Sequence, residues 1–213
     1  MSRLRITEIF HSLQGEARDV GRPTVFIRLT GCPLRCQYCD TEYAFQGGDW
    51  VELDDILQQV ASYDCDYVTV TGGEPLAQKA CIELLAQLCD RGYKVSLETS
   101  GAMDVASVDT RVSKVLDIKT PGSGEQSRNL SANLAHLTSH DQIKFVLCDR
   151  NDYEWACQRI QQEKLASICD VLLSPVHGSL DAQQLADWIL QDKLPVRMQV
   201  QLHKYLWGDE PGR

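Results

Sequence analysis

No uninterrupted apolar run in this sequence approaches the roughly 20 residues that a membrane-spanning helix needs. The first residues also lack the apolar core of a secretory signal peptide. Positive charge is scarce, since 21 Lys and Arg stand against 30 Asp and Glu and give a formal net charge of −9. Nucleic acids and anionic membranes attract basic surfaces, so we expect neither as a partner. We predict a cytoplasmic protein, in which one local Arg or Lys still suffices to hold a small anionic molecule.

The sequence also lacks tandem repeats, low-complexity tracts and the length of several domains. With 213 residues, of which 43% are hydrophobic and 24% charged, we predict one globular domain over 1–213. A chain of this size hides roughly 70% of its unfolded surface and needs no disulfide or zinc staple merely to fold. The segment 121–129 is rich in Gly, Ser and charge, and we interpret it as a mobile loop.

Strand-like and helix-like patterns alternate along the chain. The predicted strands are 24–30, 67–71, 94–98, 114–118, 142–147, 168–173 and 196–201. Apolar residues at helical spacing begin at Leu53, Ala77, Tyr153 and Ala182. Strands separated by helices are typical of right-handed βαβ units and of a mainly parallel sheet. We therefore predict an α/β fold whose sheet is either open or curled into a barrel.

The carboxyl ends of the predicted strands carry most of the polar and glycine-rich segments. In α/β folds the chemistry gathers at this edge of the sheet. The segments concerned are 31–32, 71–74, 98–101, 117–119, 174–178 and 201–203. The amino ends carry few such segments. This asymmetry predicts a single working face, that is, one functional site at the carboxyl edge of the sheet.

Three of the nine cysteines, Cys32, Cys36 and Cys39, lie within eight residues of one loop. Structural zinc takes four protein ligands, commonly as two separated pairs, and the other six cysteines form no second pair. Three thiolates fit a [4Fe–4S] cluster with one open iron better than they fit a closed zinc site. Since such clusters normally have four cysteine ligands, the fourth is either an outside molecule or Cys148, which follows a predicted strand.

The remaining cysteines have no spacing typical of metal ligands. We expect them to be packing residues, because unpaired cysteine is among the most buried residue types. They are Cys65, Cys81, Cys89, Cys157 and Cys169. An odd cysteine count without a signal peptide also argues against a disulfide framework.

The spacing C-x3-C-x2-C, with Tyr38 before the last cysteine, resembles the signature of radical S-adenosylmethionine enzymes. The sequence GGEP at 72–75 resembles their second common motif. Four further stretches are similar to the 7-carboxy-7-deazaguanine synthases, and the similarity covers essentially the full chain. These stretches are SLQGE at 12–16, CDT at 39–41, ETSG at 98–101 and LHK at 202–204.

This resemblance implies a modified, partial (β/α) barrel of the radical type with mainly parallel strands, and usually a homodimer. It implies a Mg²⁺-dependent ring contraction of 6-carboxy-5,6,7,8-tetrahydropterin with loss of ammonia, on the route to queuosine and other 7-deazapurines. The cluster would reductively cleave S-adenosylmethionine, and the resulting radical would remove hydrogen from the pterin. Because the radical is borne by the cofactor, no side chain is assigned as catalytic. Flavodoxin is the electron donor that the family suggests.

The resemblance also implies roles for individual residues. The cluster ligands are Cys32, Cys36 and Cys39. The residues implied for S-adenosylmethionine are Tyr38, Cys39, Asp40, Gly73, Asp117, Ile118, Lys119, Ser174, Pro175, Val176 and His177. The residues implied for the pterin are Leu13, Gln14, Gly15, Arg28 and Thr71, with Arg28 on the substrate carboxylate. The residue implied for Mg²⁺ is Thr41.

The residues alone also admit plainer interpretations. Gly73 fits a strand-to-helix turn with proline next to it in a favoured position, and Arg28 fits a surface ion pair. Thr41 fits a turn or cap, Gln14 an ordinary polar turn, and His177, like the histidine at 203, a structural role.

Two features depart from the family pattern. Ala17 stands where the family has glycine, and the chain continues past His203, so we assign the terminus no substrate contact. Two other functions remain open. One is an activase that generates a glycyl radical on a partner protein, and the other is a non-catalytic iron–sulfur or zinc protein.

Overall fold

The structure is a computed structural model that describes residues 2–208, 210 and 212. The strands are β1 (Arg3–Leu13), β2 (Pro23–Leu29), β3 (Asp49–Glu52), β4 (Tyr67–Gly72), β5 (Lys94–Thr99), β6 (Ser113–Asp117), β7 (Gln142–Leu147), β8 (Asp170–Pro175) and β9 (Arg197–Met198). The α-helices are α1 (Leu53–Ala61), α2 (Cys81–Asp90), α3 (Arg150–Gln162), α4 (Ala182–Asp192) and α5 (Leu202–Trp207). Short 3-10 turns occupy several of the connections.

All of these strands belong to one sheet with the order β3-β1-β2-β4-β5-β6-β7-β8-β9. Every neighbouring pair from β2 to β9 is parallel, whereas β1 runs antiparallel to both β2 and β3. The sheet is open, because the edge strands β3 and β9 do not pair with each other within the described residues. The predicted α/β class, with a mainly parallel sheet, is confirmed.

The helices bury one face of this sheet. Ile56, Leu57 and Val60 lie on one side of α1, at helical spacing, and are fully buried or nearly so. They pack into the main core with alternate strand residues such as Ile27 and Phe145. Side chains of successive strand residues point to opposite faces, so their neighbours in sequence point away from the helices.

That second face carries six polar strand residues. They are Arg28 on β2, Thr69 and Thr71 on β4, Glu98 on β5, Asp117 on β6 and Lys144 on β7. Each occupies the position alternate to a core residue of its strand, and the small apolar cluster of Ala17, Val115 and Leu172 lies apart from the main core. Alternation therefore gathers the chemistry on one face and at the carboxyl edge.

The sequence did not predict β1, β3 or α5. It also placed the eighth strand too early: Ile168 forms part of a turn, its N–H donating to Leu165 O at 2.9 Å, and the strand begins at Asp170 and ends at Pro175. The predicted strand 196–201 is reduced to two residues, because this edge strand pairs with β8 only at Arg197 and Met198.

The segment 121–129, interpreted from the sequence as a mobile loop, contains two short 3-10 turns and the fully buried Ser123. Among the described residues, no helix has both the length and the apolar character required to cross a bilayer.

Candidate active site

A cavity of about 680 Å³ opens at the carboxyl edge of the sheet. Its wall contains residues from the ends of β1, β2, β4, β5, β6 and β7, the cysteine loop, and the chain around His203. This is the edge at which the sequence predicted the working face.

Most of the residues that the sequence assigned to ligands lie in this one wall. They are Leu13, Gln14, Gly15, Arg28, Cys32, Cys36, Tyr38, Cys39, Asp40, Thr41, Thr71, Gly73, Asp117, Lys119, Val176 and His177. Residues far apart in the sequence thus share one cavity because their strands are neighbours in the sheet.

Ile118, Ser174 and Pro175, which the resemblance also implied for S-adenosylmethionine, lie outside this wall. Ile118 belongs to the main core and is 3% exposed. Ser174 and Pro175 are buried as the last residues of β8, because that strand extends two residues further than the sequence predicted. Of the segment 174–177, Val176 and His177 reach the cavity.

The cysteine loop presents three partly exposed thiols to the cavity. Leu34, 1% exposed, anchors the loop in the protein, and Arg35 donates from Nη1 to the carbonyls of Cys32 at 2.8 Å and Leu34 at 2.6 Å. Burial raises the pKa of all three thiols, that of Cys36 to about 11, and neighbouring thiols add to the rise for Cys32 and Cys36. The thiols are therefore protonated at neutral pH until a metal replaces the protons.

Within the described residues, no three His, Cys, Asp or Glu side chains converge closely enough to hold a single metal ion. In an iron–sulfur cluster each thiolate binds a different iron, so the sulfurs need not converge on one point. Three separate thiols in one cavity wall fit such a cluster better than they fit zinc.

The turn after β4 packs directly against the cysteine loop. A Cβ atom added at Gly73 would lie 2.3 Å from Gly31 O and 2.8 Å from Cys32 Cβ. At Gly72, φ is 149°, and an added Cβ would lie 2.2 Å from Leu29 O. Both glycines are needed because no side chain fits between the two backbones.

Glu74, which is fully buried, stabilises the same turn through its side chain. Its carboxylate accepts hydrogen bonds from Leu76 N at 3.0 Å, Thr99 Oγ1 at 3.0 Å, Ser100 N at 2.7 Å and the Ser100 hydroxyl. Pro75 begins the 3-10 turn, as the plainer interpretation of this motif proposed. The motif thus has a structural role in joining the ends of β4 and β5, whichever ligand Gly73 contacts.

We predict that Gly73→Ala lowers the free energy of unfolding by about 1–3 kcal/mol, because the added methyl forces the two backbones apart. The displaced Cys32 should also reduce the iron retained after anaerobic reconstitution. Urea denaturation and iron analysis measure the two effects. Gly92→Ala is the control for iron retention: its φ of 86° also strains an alanine backbone, but an added Cβ would meet no atom within 4 Å, and Gly92 lies outside the cavity wall. Equal iron retention in both variants would contradict the packing argument.

Charged side chains form the floor of the cavity. Lys144 Nζ lies 2.9 Å from Glu16 Oε2, 3.3 Å from Glu98 Oε2 and 3.8 Å from Asp117 Oδ2. Burial acts to lower the pKa of Lys144, but the three carboxylates raise it well above its ordinary value. The sequence assigned no role to Lys144, Glu16 or Glu98, although Glu16 and Glu98 lie in two of the family-like stretches and Glu98 also ends a predicted strand.

The two glutamates of the floor differ in their titration. Burial raises the pKa of Glu98, and Lys144 offsets this only in part. Burial acts in the same direction on Glu16, but Lys144 and the Gln201 amide, 3.0 Å from Oε1, bring its pKa below the ordinary value. Glu16 is therefore the more firmly ionised carboxylate.

Lys119 and Tyr38 join the floor to the cysteine loop. Lys119 Nζ donates to Asp117 Oδ2 at 3.0 Å and lies 5.9 Å from the Tyr38 ring centroid. Asp117 Oδ1 and the Tyr38 hydroxyl are buried and have no hydrogen-bond partner in the described part of the protein. Because buried polar atoms are rarely left unsatisfied, these two atoms in a cavity wall indicate a polar ligand.

Arg28 is held by the antiparallel neighbour of its strand. Its Nε donates to Glu8 Oε1 at 2.7 Å, and the Tyr43 hydroxyl donates to the same oxygen at 2.8 Å. The guanidinium also lies 5.8 Å from the centroid of the Phe10 ring. This arrangement uses the Nε side for positioning, so the two terminal nitrogens are the groups suited to bidentate carboxylate binding. Sequence analysis missed Glu8 because it did not predict β1.

Gln14 is 4% exposed, and its side chain is used within the protein. Nε2 donates to Thr69 Oγ1 at 3.0 Å, and Oε1 accepts from Glu16 N at 3.2 Å. Next to it, an added Cβ at Gly15 would lie 2.3 Å from His203 Nδ1. Gly15 therefore allows the His203 ring to pack against this loop. The Gln14 side chain stabilises the cavity wall through its bonds to Thr69 and to the Glu16 backbone.

Asp40 and Thr41 form a small oxygen-rich corner. The Thr41 hydroxyl donates to Asp40 Oδ1 at 2.7 Å, and Gln201 Nε2 donates to Asp40 Oδ2 at 3.1 Å. Burial acts to raise the pKa of Asp40, but these bonds and the charge of Lys204 lower it. Oxygen ligands with an ionised carboxylate beside them suit Mg²⁺.

Four further residues bear on the sequence predictions. Cys148 lies outside the cavity wall and against Gly122, so the structure does not bring it to the three thiols as a fourth ligand. Gly208, Glu210 and Gly212 lie in the wall, although the sequence assigned the terminus no contact.

Comparison with known proteins agrees with this geometry. Residues 26–118 match the Radical SAM superfamily. A 7-carboxy-7-deazaguanine synthase from Chlorobaculum tepidum is 43% identical, over 97% of this chain and 96% of its own. The synthase of that name from Koribacter versatilis is 42% identical, over 97% and 98%. In fold, the chain resembles the crystal structure of QueE from Escherichia coli, with a TM-score of 0.75, 23% identity and coverage of 94% and 95%.

Proposed function

This chain belongs to the 7-carboxy-7-deazaguanine synthase family of radical S-adenosylmethionine enzymes, and from that premise we propose how its cavity carries out the reaction. The substrate is 6-carboxy-5,6,7,8-tetrahydropterin, and the product is 7-carboxy-7-deazaguanine with release of ammonia. The observation that carries the proposal is one cavity in which three thiols, a positioned arginine and unpaired buried oxygen atoms meet. Queuosine and related 7-deazapurines are the expected downstream products.

The family implies a [4Fe–4S] cluster and S-adenosylmethionine, which together supply the radical that starts the reaction. Cys32, Cys36 and Cys39 would hold the cluster. The donor set fits, because three thiols leave one iron for the methionine part of the cofactor. We assign Asp117 Oδ1 and the Tyr38 hydroxyl, which lack hydrogen-bond partners among the described residues, to polar contacts with the cofactor.

The remaining cofactor wall consists of five residues in our proposal. They are Asp40, Gly73, Lys119, Val176 and His177. Lys119 places an ammonium beside Cys36 and Tyr38. The pKa of Lys119 is raised because Asp117, Tyr38 and Cys36 outweigh the effect of burial, so the group remains charged. A fixed positive charge at this position favours thiolate over thiol.

For the pterin, we assign the carboxylate to Arg28 and the ring to the surface formed by Leu13, Gly15 and Thr71. Gln14 shapes this surface through its buried bond to Thr69. Charge complementarity supports the assignment, since Arg28 brings a largely buried positive charge to the cavity wall and pairs with Glu8 through Nε.

We assign Mg²⁺ to Thr41, beside the ionised Asp40. Magnesium often takes few protein ligands and completes its shell with substrate oxygens and water, so a single hydroxyl at the cavity wall suffices. We further propose a cytoplasmic homodimer, with 1–213 acting as one domain and a flavodoxin as electron donor. The nine unpaired cysteines support a reducing compartment.

The proposal is tested by anaerobic reconstitution followed by a product assay. The chain is mixed with the carboxytetrahydropterin, S-adenosylmethionine, Mg²⁺ and a reductant, and the mass of the deazaguanine product and the released ammonia are measured. Product formation supports the proposal. Cofactor cleavage without this product would favour an activase, and stoichiometric zinc without cleavage would favour a non-catalytic protein.

A further inference from the structure

Asp152 is a carboxylate buried among neutral donors. It lies in the first turn of α3 and is 1% exposed. Its oxygens accept hydrogen bonds from Thr120 Oγ1 at 3.0 Å, Gly122 N at 2.8 Å and Cys148 N at 2.9 Å. Burial of a carboxylate is unfavourable unless hydrogen bonds satisfy it. These three bonds therefore tie the loop after β6 firmly to α3 and to the end of β7.

The fit around Gly122 shows how closely this loop is held. A Cβ atom at Gly122 would lie 2.5 Å from Asp152 Oδ2 and 3.0 Å from Cys148 Sγ. Ser123, which is fully buried, continues the turn by donating from its hydroxyl to Thr120 O at 2.6 Å. The hydrogen bonds to Asp152 thus fix the position of the first residues of the 120–125 segment.

The other end of the 120–125 segment binds the cysteine loop. Gln37 N donates to Ser123 O at 3.0 Å, and Arg35 N donates to Glu125 Oε1 at 2.6 Å. Arg35 and Gln37 are the neighbours of Cys36 on either side. The backbone on both sides of Cys36 is therefore hydrogen-bonded to the 120–125 segment.

We propose that Asp152 is a positioning residue for the iron–sulfur cluster. It acts through the 120–125 segment to hold Cys36 in place before any metal binds. The inference rests on the proposed function, in which Cys36 is a cluster ligand. Asp152 lies outside the cavity wall, so its effect is indirect. A loop ordered in advance loses less conformational freedom when the cluster forms.

The first test measures amide hydrogen exchange in the full-length, metal-free chain. Asp152→Asn keeps the side-chain shape but turns one acceptor oxygen into an amide donor facing N–H groups. We expect the Arg35 and Gln37 amides to exchange about tenfold faster. The control is Asp181→Ala, which removes the bond from Gln184 N to the N-cap carboxylate of α4 at 2.9 Å and leaves the 120–125 segment intact. In this control, both amides should exchange at the wild-type rate.

The second test follows iron loss to a chelator after anaerobic reconstitution. We expect Asp152→Asn to lose iron about tenfold faster than both wild type and the control, since ligand order contributes to metal affinity. If Asp152→Asn does not fold, Thr120→Val takes its place, because it removes one hydrogen bond to the Asp152 carboxylate and keeps the side-chain shape; it must accelerate both Arg35 exchange and iron loss.

Unchanged exchange at Arg35 and Gln37 in Asp152→Asn would overturn the proposal, and so would an equal acceleration in the control. Because exchange is measured without metal, its outcome is separate from that of the proposed function. A wild-type chain that fails to cleave S-adenosylmethionine would refute the function and leave the exchange result standing.

Discussion

Replacing Lys144 by Met is expected to lower the free energy of unfolding by about 3 kcal/mol near neutral pH, because the change leaves two largely buried carboxylates without their cation. Lys144 is 6% exposed and bridges Glu16 and Glu98 at 2.9 and 3.3 Å. Urea denaturation of the wild type and the variant measures the loss.

The effect of this substitution should depend on pH. Lys144 lowers the pKa of both Glu16 and Glu98, so its removal raises both pKa values in the folded state above those of the unfolded state. The folded variant then binds more protons than the unfolded chain, and its stability decreases as pH rises. The difference from wild type should therefore be smaller in mild acid than at neutral pH.

A triple variant provides the control for this prediction. Adding Glu16→Gln and Glu98→Gln to Lys144→Met removes the unpaired charges, and much of the lost stability should return. A destabilisation that is independent of pH and is not relieved by the two glutamines would show that Lys144 contributes packing alone.

Arg28→Ala is expected to reduce kcat/KM for the carboxytetrahydropterin by about two to three orders of magnitude, since truncating one partner of a buried charge pair is strongly unfavourable. Uncoupled cleavage of S-adenosylmethionine should continue, because the cluster and cofactor residues are untouched. Steady-state product formation and 5′-deoxyadenosine release measure the two effects separately.

Arg22→Ala is the matched control for Arg28→Ala. Arg22 pairs with Asp19 at 3.3 Å, is largely exposed and lies outside the cavity wall. Its removal should leave kcat/KM unchanged. Wild-type turnover in Arg28→Ala would remove the carboxylate assignment, and equal loss of turnover and of uncoupled cleavage would indicate damage to the whole site.

The parts of the fold that the sequence predicted are those with strong local patterns. The buried parallel strands show apolar runs, and the helices α1 and α4 show clear apolar stripes. β1 was missed because its register shifts between Ile6 and Glu8, which interrupts the alternation. β3 and β9 are short edge strands, and their pairing depends on neighbours that the local sequence does not reveal.

The candidate site likewise contains residues that local motifs predict and residues that they do not. The cysteine loop and the GGEP turn are local motifs, so sequence alone could identify them. The charged floor is not local: Lys144 is separated from Glu16 by 128 positions and from Glu98 by 46. Only the strand order of the sheet brings these side chains together.

The same distinction explains Glu8 and Asp152. Each acts on a residue that is remote in the sequence, Glu8 on Arg28 across an antiparallel pair and Asp152 on the loop after β6. Their neighbours in sequence carry no motif that indicates such a role.

The most direct measurement concerns the reduced cluster of the anaerobically reconstituted chain, with S-adenosylmethionine labelled isotopically in its amino and carboxylate groups. If only Cys32, Cys36 and Cys39 bind iron, electron–nuclear double resonance should detect both labels coupled to the cluster spin, with four irons per chain. A cluster that shows no coupling to either label, because a fourth side chain occupies its remaining iron, would contradict the assignment of this cavity to radical chemistry.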